Sequence, residues 1–144
     1  MIFKIKIEQL FFEYIIDKLS VYIKDIVYGK EILSTLSRFD IGQSIVVQNG
    51  RVVGIEGLEG TKELIERCGK YCKDNKKEKP VLIKTSKTNQ TMKLDVPSIG
   101  EETIKQLIAN NFAGLALEEN SVILIEKEKV LNMLKTNNVF LKVI

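Results

Sequence analysis

Two β-branched runs, Ser44–Val47 and Arg51–Ile55, are joined by Gln48-Asn49-Gly50. Asparagine followed by glycine accepts the left-handed backbone that a two-residue hairpin turn demands, and this pair is the strongest short-range hairpin signal. A hairpin over residues 44–55 therefore places two antiparallel strands side by side. Every other element of the chain has to pack around that fixed pair.

The flanking segments read as helices and strands in alternation. Downstream of the Glu56–Gly60 turn, Thr61 opens a helix over 61–72 that brings Leu64, Ile65 and Cys68 to one face. The charged run Lys73–Lys79, closed by Pro80, reads as a solvated loop. Val81–Thr85 and Met92–Val96 are expected to form a second strand pair, with the polar Lys84–Gln90 stretch between them. Ser98 and Glu101 have capping-box spacing ahead of a helix over 101–110. Phe112–Leu117 and Val122–Ile125 read as core strands, followed by a helix over 127–135 and a last strand, Val139–Val143. Toward the amino terminus, Phe3–Ile7 alternates like a strand. Glu8 to about Lys24 has helical spacing, and a second helical pattern runs over Val27–Leu36 to a turn at Phe39–Ser44. At 144 residues the whole is expected to be a single mixed α/β domain without internal repeats.

Charge and composition exclude several classes of function. The 22 basic residues are nearly balanced by 19 acidic ones, and the densest basic run contains Asp74 and Glu78 and no aromatic platform, so nucleic acid is not an expected partner. Leu10–Val27 is apolar but is broken by Glu13, Asp17, Lys18, Lys24 and Asp25, which fits an amphipathic helix and not a membrane span. The first residues lack an apolar core followed by a small-residue cleavage site, so no secretory signal is expected. Cys68 and Cys72 lie four apart on one helix face. With no histidine in the chain, a zinc site, a Ser-His dyad and a Cys-His dyad are all excluded. Reduced thiols on a helix face point to a cytoplasmic compartment.

Three polar clusters fall at element ends: Asp40-Ile41-Gly42-Gln43, Glu56–Thr61, and Lys84–Asp95. In the second, backbone N–H groups at the helix start after Gly60 and Thr61 favour an anion such as phosphate, while Glu56 and Glu59 offer hard oxygens to Mg²⁺. The third supplies Lys84, Lys87 and Lys93 as phosphate partners, with Gln90 and Asp95 as oxygen donors. Cations, Mg²⁺ and one carboxylate suit hydrolysis of a phosphoanhydride without histidine. Lysines at strand ends and glycine turns are also commonplace structural features.

In this order, Phe39-Asp40-Ile41-Gly42-Gln43-Ser44, Glu56-Gly57-Leu58-Glu59-Gly60-Thr61, Lys84-Thr85-Ser86-Lys87 with Gln90, and Asp95-Val96-Pro97-Ser98-Ile99-Gly100 resemble the successive motifs of the LpxI-type UDP-2,3-diacylglucosamine pyrophosphatases. Gly114–Glu118 and the terminal strand continue the likeness, so it covers 24–144, the family's carboxy-terminal domain, and leaves an amino-terminal strand and helix over 1–23 outside it. The resemblance implies an enzyme of lipid A biosynthesis, peripheral at the cytoplasmic face of the inner membrane. Such enzymes use Mg²⁺ to cleave UDP-2,3-diacylglucosamine into UMP and 2,3-diacylglucosamine 1-phosphate. It further implies Glu56, Glu59 and Asp95 as catalytic and metal-holding carboxylates, and Asp40, Gln43, Gly60, Thr61, Lys84, Lys87, Gln90 and Lys93 as substrate-binding positions.

The departures from the family pattern are specific. Lys62 and Thr91 stand where the family usually has aspartates, and Lys93 stands where it has an arginine, which keeps charge but loses the planar fork. The family's amino-terminal domain has no counterpart in the resemblance. Two expectations follow: a split enzyme completed by a separate amino-terminal-domain chain, or a non-catalytic remnant or binding module that keeps the fold. Either would leave apolar surface where the other domain docks, covered by the amino-terminal helix with Phe11, Phe12, Tyr14, Ile15 and Ile16, or by a second copy in a homo-oligomer.

Overall fold

The structure, a computed structural model, describes residues 2–4, 12–72, 78–86 and 97–144, with the backbone alone for 2–4 and 12–18. In chain order the elements are β1 (Ile2–Lys4), α1 (Phe12–Leu36), a 3-10 turn (Ser37–Phe39), β2 (Ser44–Gln48), β3 (Arg51–Ile55), α2 (Thr61–Cys72), β4 (Val81–Lys84), β5 (Ser98–Ile99), α3 (Glu101–Ala109), β6 (Gly114–Leu117), β7 (Ile123–Ile125), α4 (Lys127–Thr136) and β8 (Phe140–Val143). The main sheet has the order β3-β2-β4-β6-β8, and a small sheet has the order β1-β7-β5. This is the mixed α/β domain that the sequence implies, with the hairpin and the helices at 61–72, 101–109 and 127–136 in their expected places.

The hairpin turn has the expected chemistry, since Asn49 and Gly50 both sit at positive φ, 48° and 73°. It is also held from outside. Asp25, on α1 and only 5% exposed, accepts hydrogen bonds from the Asn49 and Gly50 backbone N–H groups at 2.9 and 2.7 Å. A β-bulge opposite the Val46–Val47 step leaves one extra residue, Val53, on β3.

β4, β6 and β8 run parallel, and β2 joins β4 antiparallel. All four residues of β4 are buried, as expected of a strand covered on both faces. On one face Val46, Leu82, Leu115 and Leu117 pack with Leu64, Ile65 and Cys68 of α2, Ile104 and Leu107 of α3, and Val130 and Leu134 of α4. On the other face Ile45, Val47, Ile83 and Ala116 pack with Leu19, Ile26 and Leu33 of α1. Each such side chain contributes on the order of 1.5–3 kcal/mol by leaving water.

The crossovers back to β6 and β8 end alike. Asn111 and Asn138 adopt left-handed φ values of 59° and 57°. The next residue in each case, Phe112 or Val139, donates its N–H to the carbonyl five residues earlier, Leu107 or Leu134, at 2.9 and 3.0 Å. Asparagine replaces the usual glycine in this helix-ending motif, which turns the chain straight into a parallel strand.

Two local expectations are corrected. The two helical patterns before residue 37 are one continuous helix, α1. Gly29 does not break it, because the helix lies so close on the sheet there that a Cβ would come within 2.7 Å of Ile83 Cδ1. Ser98 does not cap α3: it pairs with Ile123 as an extended residue of β5, and Gly100 takes the cap position without a side-chain bond. β4 is flanked by β2 and β6, and its expected partner, Met92–Val96, lies outside the described residues. The cover supplied by α1 comes from Leu19, Ile26 and Leu33, while Val21, Ile23, Val27 and Tyr28 on the same helix stay exposed. The side chains of Phe11, Phe12, Tyr14, Ile15 and Ile16 are outside the described residues. No helix among the described residues is long and apolar enough to cross a membrane.

Candidate functional site

In open α/β sheets, ligands bind outside the carboxyl ends of the parallel strands. Here that edge joins the end of β4 to the start of β2, with Lys84 paired to Ser44, and to the end of β6, with Lys84 beside Leu117. The hydrogen-bonded edge continues past the strands: Glu56 N–H donates to the Ser44 carbonyl at 2.8 Å, Thr85 N–H to the Gln43 carbonyl at 2.9 Å, and Glu118 N–H to the Lys84 carbonyl at 3.1 Å. Gln43 of the first cluster, Glu56 of the second and Lys84–Thr85 of the third thus lie along one end of the sheet.

Lys84 is the centre of this edge. Strand alternation sends it to the same face as Leu82, under α2, and it is only 7% exposed. Its Nζ donates to Thr61 Oγ1 at 2.9 Å, which ties the ammonium to the first residue of α2. Gly60, at φ +87°, turns the chain into that helix, and the first helical bond runs from Leu64 N–H to the Gly60 carbonyl at 3.2 Å. The N–H groups of the first turn and the helix dipole add positive potential beside the lysine.

Polar atoms without partners gather at the same edge. Gln43 Nε2, Ser44 Oγ and Glu56 Oε2 are buried and make no hydrogen bond, and Ser44 as a whole is 0% exposed. Leaving one such group unpaired costs about 1–3 kcal/mol. The backbones that carry them are held by close contact: a Cβ on Gly42 would lie 2.0 Å from the Glu56 carbonyl oxygen.

The other expected positions fare differently. Glu59 lies in the same turn as Glu56, but its carboxylate forms an ion pair with Arg67 of α2, and the Arg67 guanidinium also reaches the Ile55 carbonyl at 3.3 Å. The hydrogen bond to Glu59 holds Arg67 above its ordinary pKa. Asp40 is exposed and ends the 3-10 turn with left-handed backbone, φ 51°. Lys87, Gln90, Lys93 and Asp95 lie outside the described residues. The edge therefore brings together Gln43, Glu56, Gly60, Thr61 and Lys84, with Glu59 at its rim.

Two residues the sequence did not single out belong to this edge. Glu118, at the end of β6, accepts hydrogen bonds at Oε2 from the Ser86 N–H at 2.8 Å and the Ser86 hydroxyl at 2.7 Å. The only signal was positional, a carboxylate directly after a core strand. A concavity of about 660 Å³, lined by Gln48, Asn49, Arg51, Val52, Val53, Tyr71 and Cys72, opens at the hairpin end, away from Lys84.

Among the described residues, no three acidic, cysteine or histidine side chains form a group able to hold a metal ion. Mg²⁺, however, is commonly held by one or two carboxylates together with substrate phosphates and water. Glu56, with its unpartnered Oε2, fits that lesser requirement.

The family model for the LpxI C-terminal domain matches residues 17–142. The chain is also similar to the UDP-2,3-diacylglucosamine pyrophosphatase LpxI of Caulobacter vibrioides, 28% identical over 114 residues, which are 76% of this chain and 41% of that protein. The chain thus spans well under half the length of this curated relative.

Proposed function

This chain belongs to the LpxI C-terminal domain family, and on that premise we propose that it forms the phosphate-binding part of a Mg²⁺-dependent pyrophosphatase of lipid A biosynthesis, which cleaves UDP-2,3-diacylglucosamine into UMP and 2,3-diacylglucosamine 1-phosphate. The observation that carries this reading is the Lys84 ammonium, buried at the carboxyl end of β4 and held by Thr61 at the start of α2, at the same sheet edge that carries Glu56 with its unpartnered carboxylate oxygen. A cation, a helix start and a carboxylate at one strand edge meet the needs of a phosphoanhydride: charge on its oxygens to neutralise and a water to orient.

In this mechanism Lys84 and the first turn of α2 bind the diphosphate, and Glu56 orients the attacking water. The water oxygen bonds to one phosphorus as a water proton passes to Glu56, the bond from that phosphorus to the bridging oxygen breaks, and the bridging oxygen leaves with the other phosphate. Mg²⁺ held by Glu56 and the substrate's own oxygens, with Asp95 as a further ligand, would neutralise charge on the diphosphate. Gln43, Asp40, Lys87, Gln90 and Lys93 complete the substrate contacts. The working enzyme sits peripherally at the cytoplasmic face of the membrane and draws the lipid-facing half of its site from an amino-terminal domain.

A second reading, a binding module that keeps UDP affinity without turnover, is favoured by one observation: Glu59 is neutralised by Arg67, and this adds to the aspartates replaced by Lys62 and Thr91. UMP release from UDP-2,3-diacylglucosamine with Mg²⁺, measured with and without a supplied amino-terminal domain, separates the two. The pyrophosphatase reading expects turnover that rises about a hundredfold or more when the domain is added, as for other lost orienting contacts. UDP binding without UMP release under either condition selects the binding module, and absence of UDP binding overturns both.

A further inference from the structure

The carboxylate of Glu118 accepts two hydrogen bonds, both from Ser86 in the segment that follows β4. Its backbone is fixed on two sides. Glu118 N–H donates to the Lys84 carbonyl at 3.1 Å, while the neighbouring Leu117 carbonyl accepts from Ile144 N–H at 2.9 Å and Glu119 N–H donates to the Ile144 carbonyl at 2.7 Å. On the other side of β4, the Gln43 carbonyl holds Thr85 N–H at 2.9 Å. Ser86 has left the ladder. Among the described residues it is held by the Glu118 side chain, through backbone N–H and hydroxyl together. The anchored partner is therefore Glu118, and the positioned partner is Ser86.

We propose that Glu118 is a positioning residue of the phosphate-binding edge, which fixes the exit of β4 at Ser86 and so keeps Lys84 in place beneath the start of α2. This rests on the proposed function for its binding consequence, though not for its structural one. The role needs an acceptor oxygen in a set place and does not need a negative charge. Glutamine can supply that oxygen, because the same Oε position receives both bonds, whereas alanine cannot.

The test uses the whole chain as wild type, Glu118→Gln, Glu118→Ala and Lys84→Met, with two measurements on each: exchange of the Ser86 amide hydrogen, and affinity for UDP with Mg²⁺ by calorimetry. The expected result is that Glu118→Ala speeds Ser86 exchange by about tenfold or more, the loss of one charge-assisted bond. It should also weaken UDP by about tenfold, while Glu118→Gln stays within about threefold of wild type in both. Glu118→Gln as weak for UDP as Glu118→Ala, with Ser86 still protected, would mean that the charge itself acts on the ligand and would overturn the positioning role. Unchanged Ser86 exchange in Glu118→Ala overturns it as well. If neither wild type nor Lys84→Met binds UDP, the proposed function fails, and Ser86 exchange alone then decides for or against Glu118. A fall of the melting temperature equal in the Gln and Ala variants would mark a general destabilisation and also counts against the proposal.

Discussion

Gly42→Ala is the sharpest probe of how the fold carries the site. A Cβ at this position lies 2.0 Å from the Glu56 carbonyl oxygen and 2.8 Å from its carbonyl carbon, both backbone atoms that cannot rotate away. To reach even the shortest tolerable contact of 3.0 Å, the two loops must part by about 1 Å. That movement strains the 2.8 Å bond from Glu56 N–H to the Ser44 carbonyl, worth about 1 kcal/mol, and adds overpacking strain of about 1–3 kcal/mol. A total near 2–4 kcal/mol corresponds to a fall of roughly 6–12 °C in melting temperature for a domain of this size. A displacement of about 1 Å at an orienting carboxylate also costs on the order of a hundredfold in turnover. Calorimetric melting gives the first quantity, and UMP release in the presence of the amino-terminal domain gives the second. An alanine variant that melts within 1–2 °C of wild type, about the measurement scatter expected, would refute the reasoning, because the backbone clash leaves no cheap way out.

Three further outcomes are expected. Asp25→Ala removes two charge-assisted bonds to the hairpin turn and should destabilise by about 2–3 kcal/mol in denaturant unfolding, with UDP affinity unchanged because the turn lies at the other end of the sheet. Lys84→Met keeps the buried stem but removes the ammonium, so UDP affinity should fall by about tenfold or more while the folded state survives. Burial pushes the Cys68 thiol from 9.0 up to about 11, so its contribution to stability is complete below pH 9 and is lost as pH rises through that window. Alkylation should therefore spare folded Cys68 at pH 9 and modify it in urea, and equal rates in both states would contradict its burial.

What the sequence made legible was whatever a local pattern encodes. Asn49-Gly50 announces its turn, the 3.6-residue spacing of Leu64, Ile65 and Cys68 announces α2, and Val81–Lys84 is apolar enough to be a covered strand. The site was legible as three clusters because each ends an element, and sheet order brings element ends together. Contacts between segments distant in sequence were not legible. The Asp25 clamp on the hairpin, the Arg67 partner of Glu59 and the Ser86 bonds to Glu118 join residues whose spacing carries no period. Ser98 misled for the opposite reason: its local spacing fits a capping box, but pairing with β7 draws it into an extended strand. The continuity of α1 was hidden because Asp25, between the two helical patterns, is a charge on the buried side of the helix, and its partners at the hairpin turn lie far off in sequence.

The two crossovers, β4-β5-α3-β6 and β6-β7-α4-β8, each place a small strand outside the main sheet before the helix, and those two strands pair with each other, Ser98 with Ile123 and Ile99 with Leu124. That pairing is a strap between units that could otherwise open one at a time. To free the end of β6 by local unfolding, the chain must undo both the main sheet and the strap, so the parallel half behaves as one cooperative unit in hydrogen exchange. Lys84 and Glu118 belong to that unit, whereas Gln43, Ser44 and Glu56 stand on or beside the hairpin, which joins it at the β2–β4 seam and through the cores on both faces of the sheet. The two halves of the site are thus joined by one antiparallel ladder that helices clamp on both faces, so their register depends on that ladder and on the packing across it.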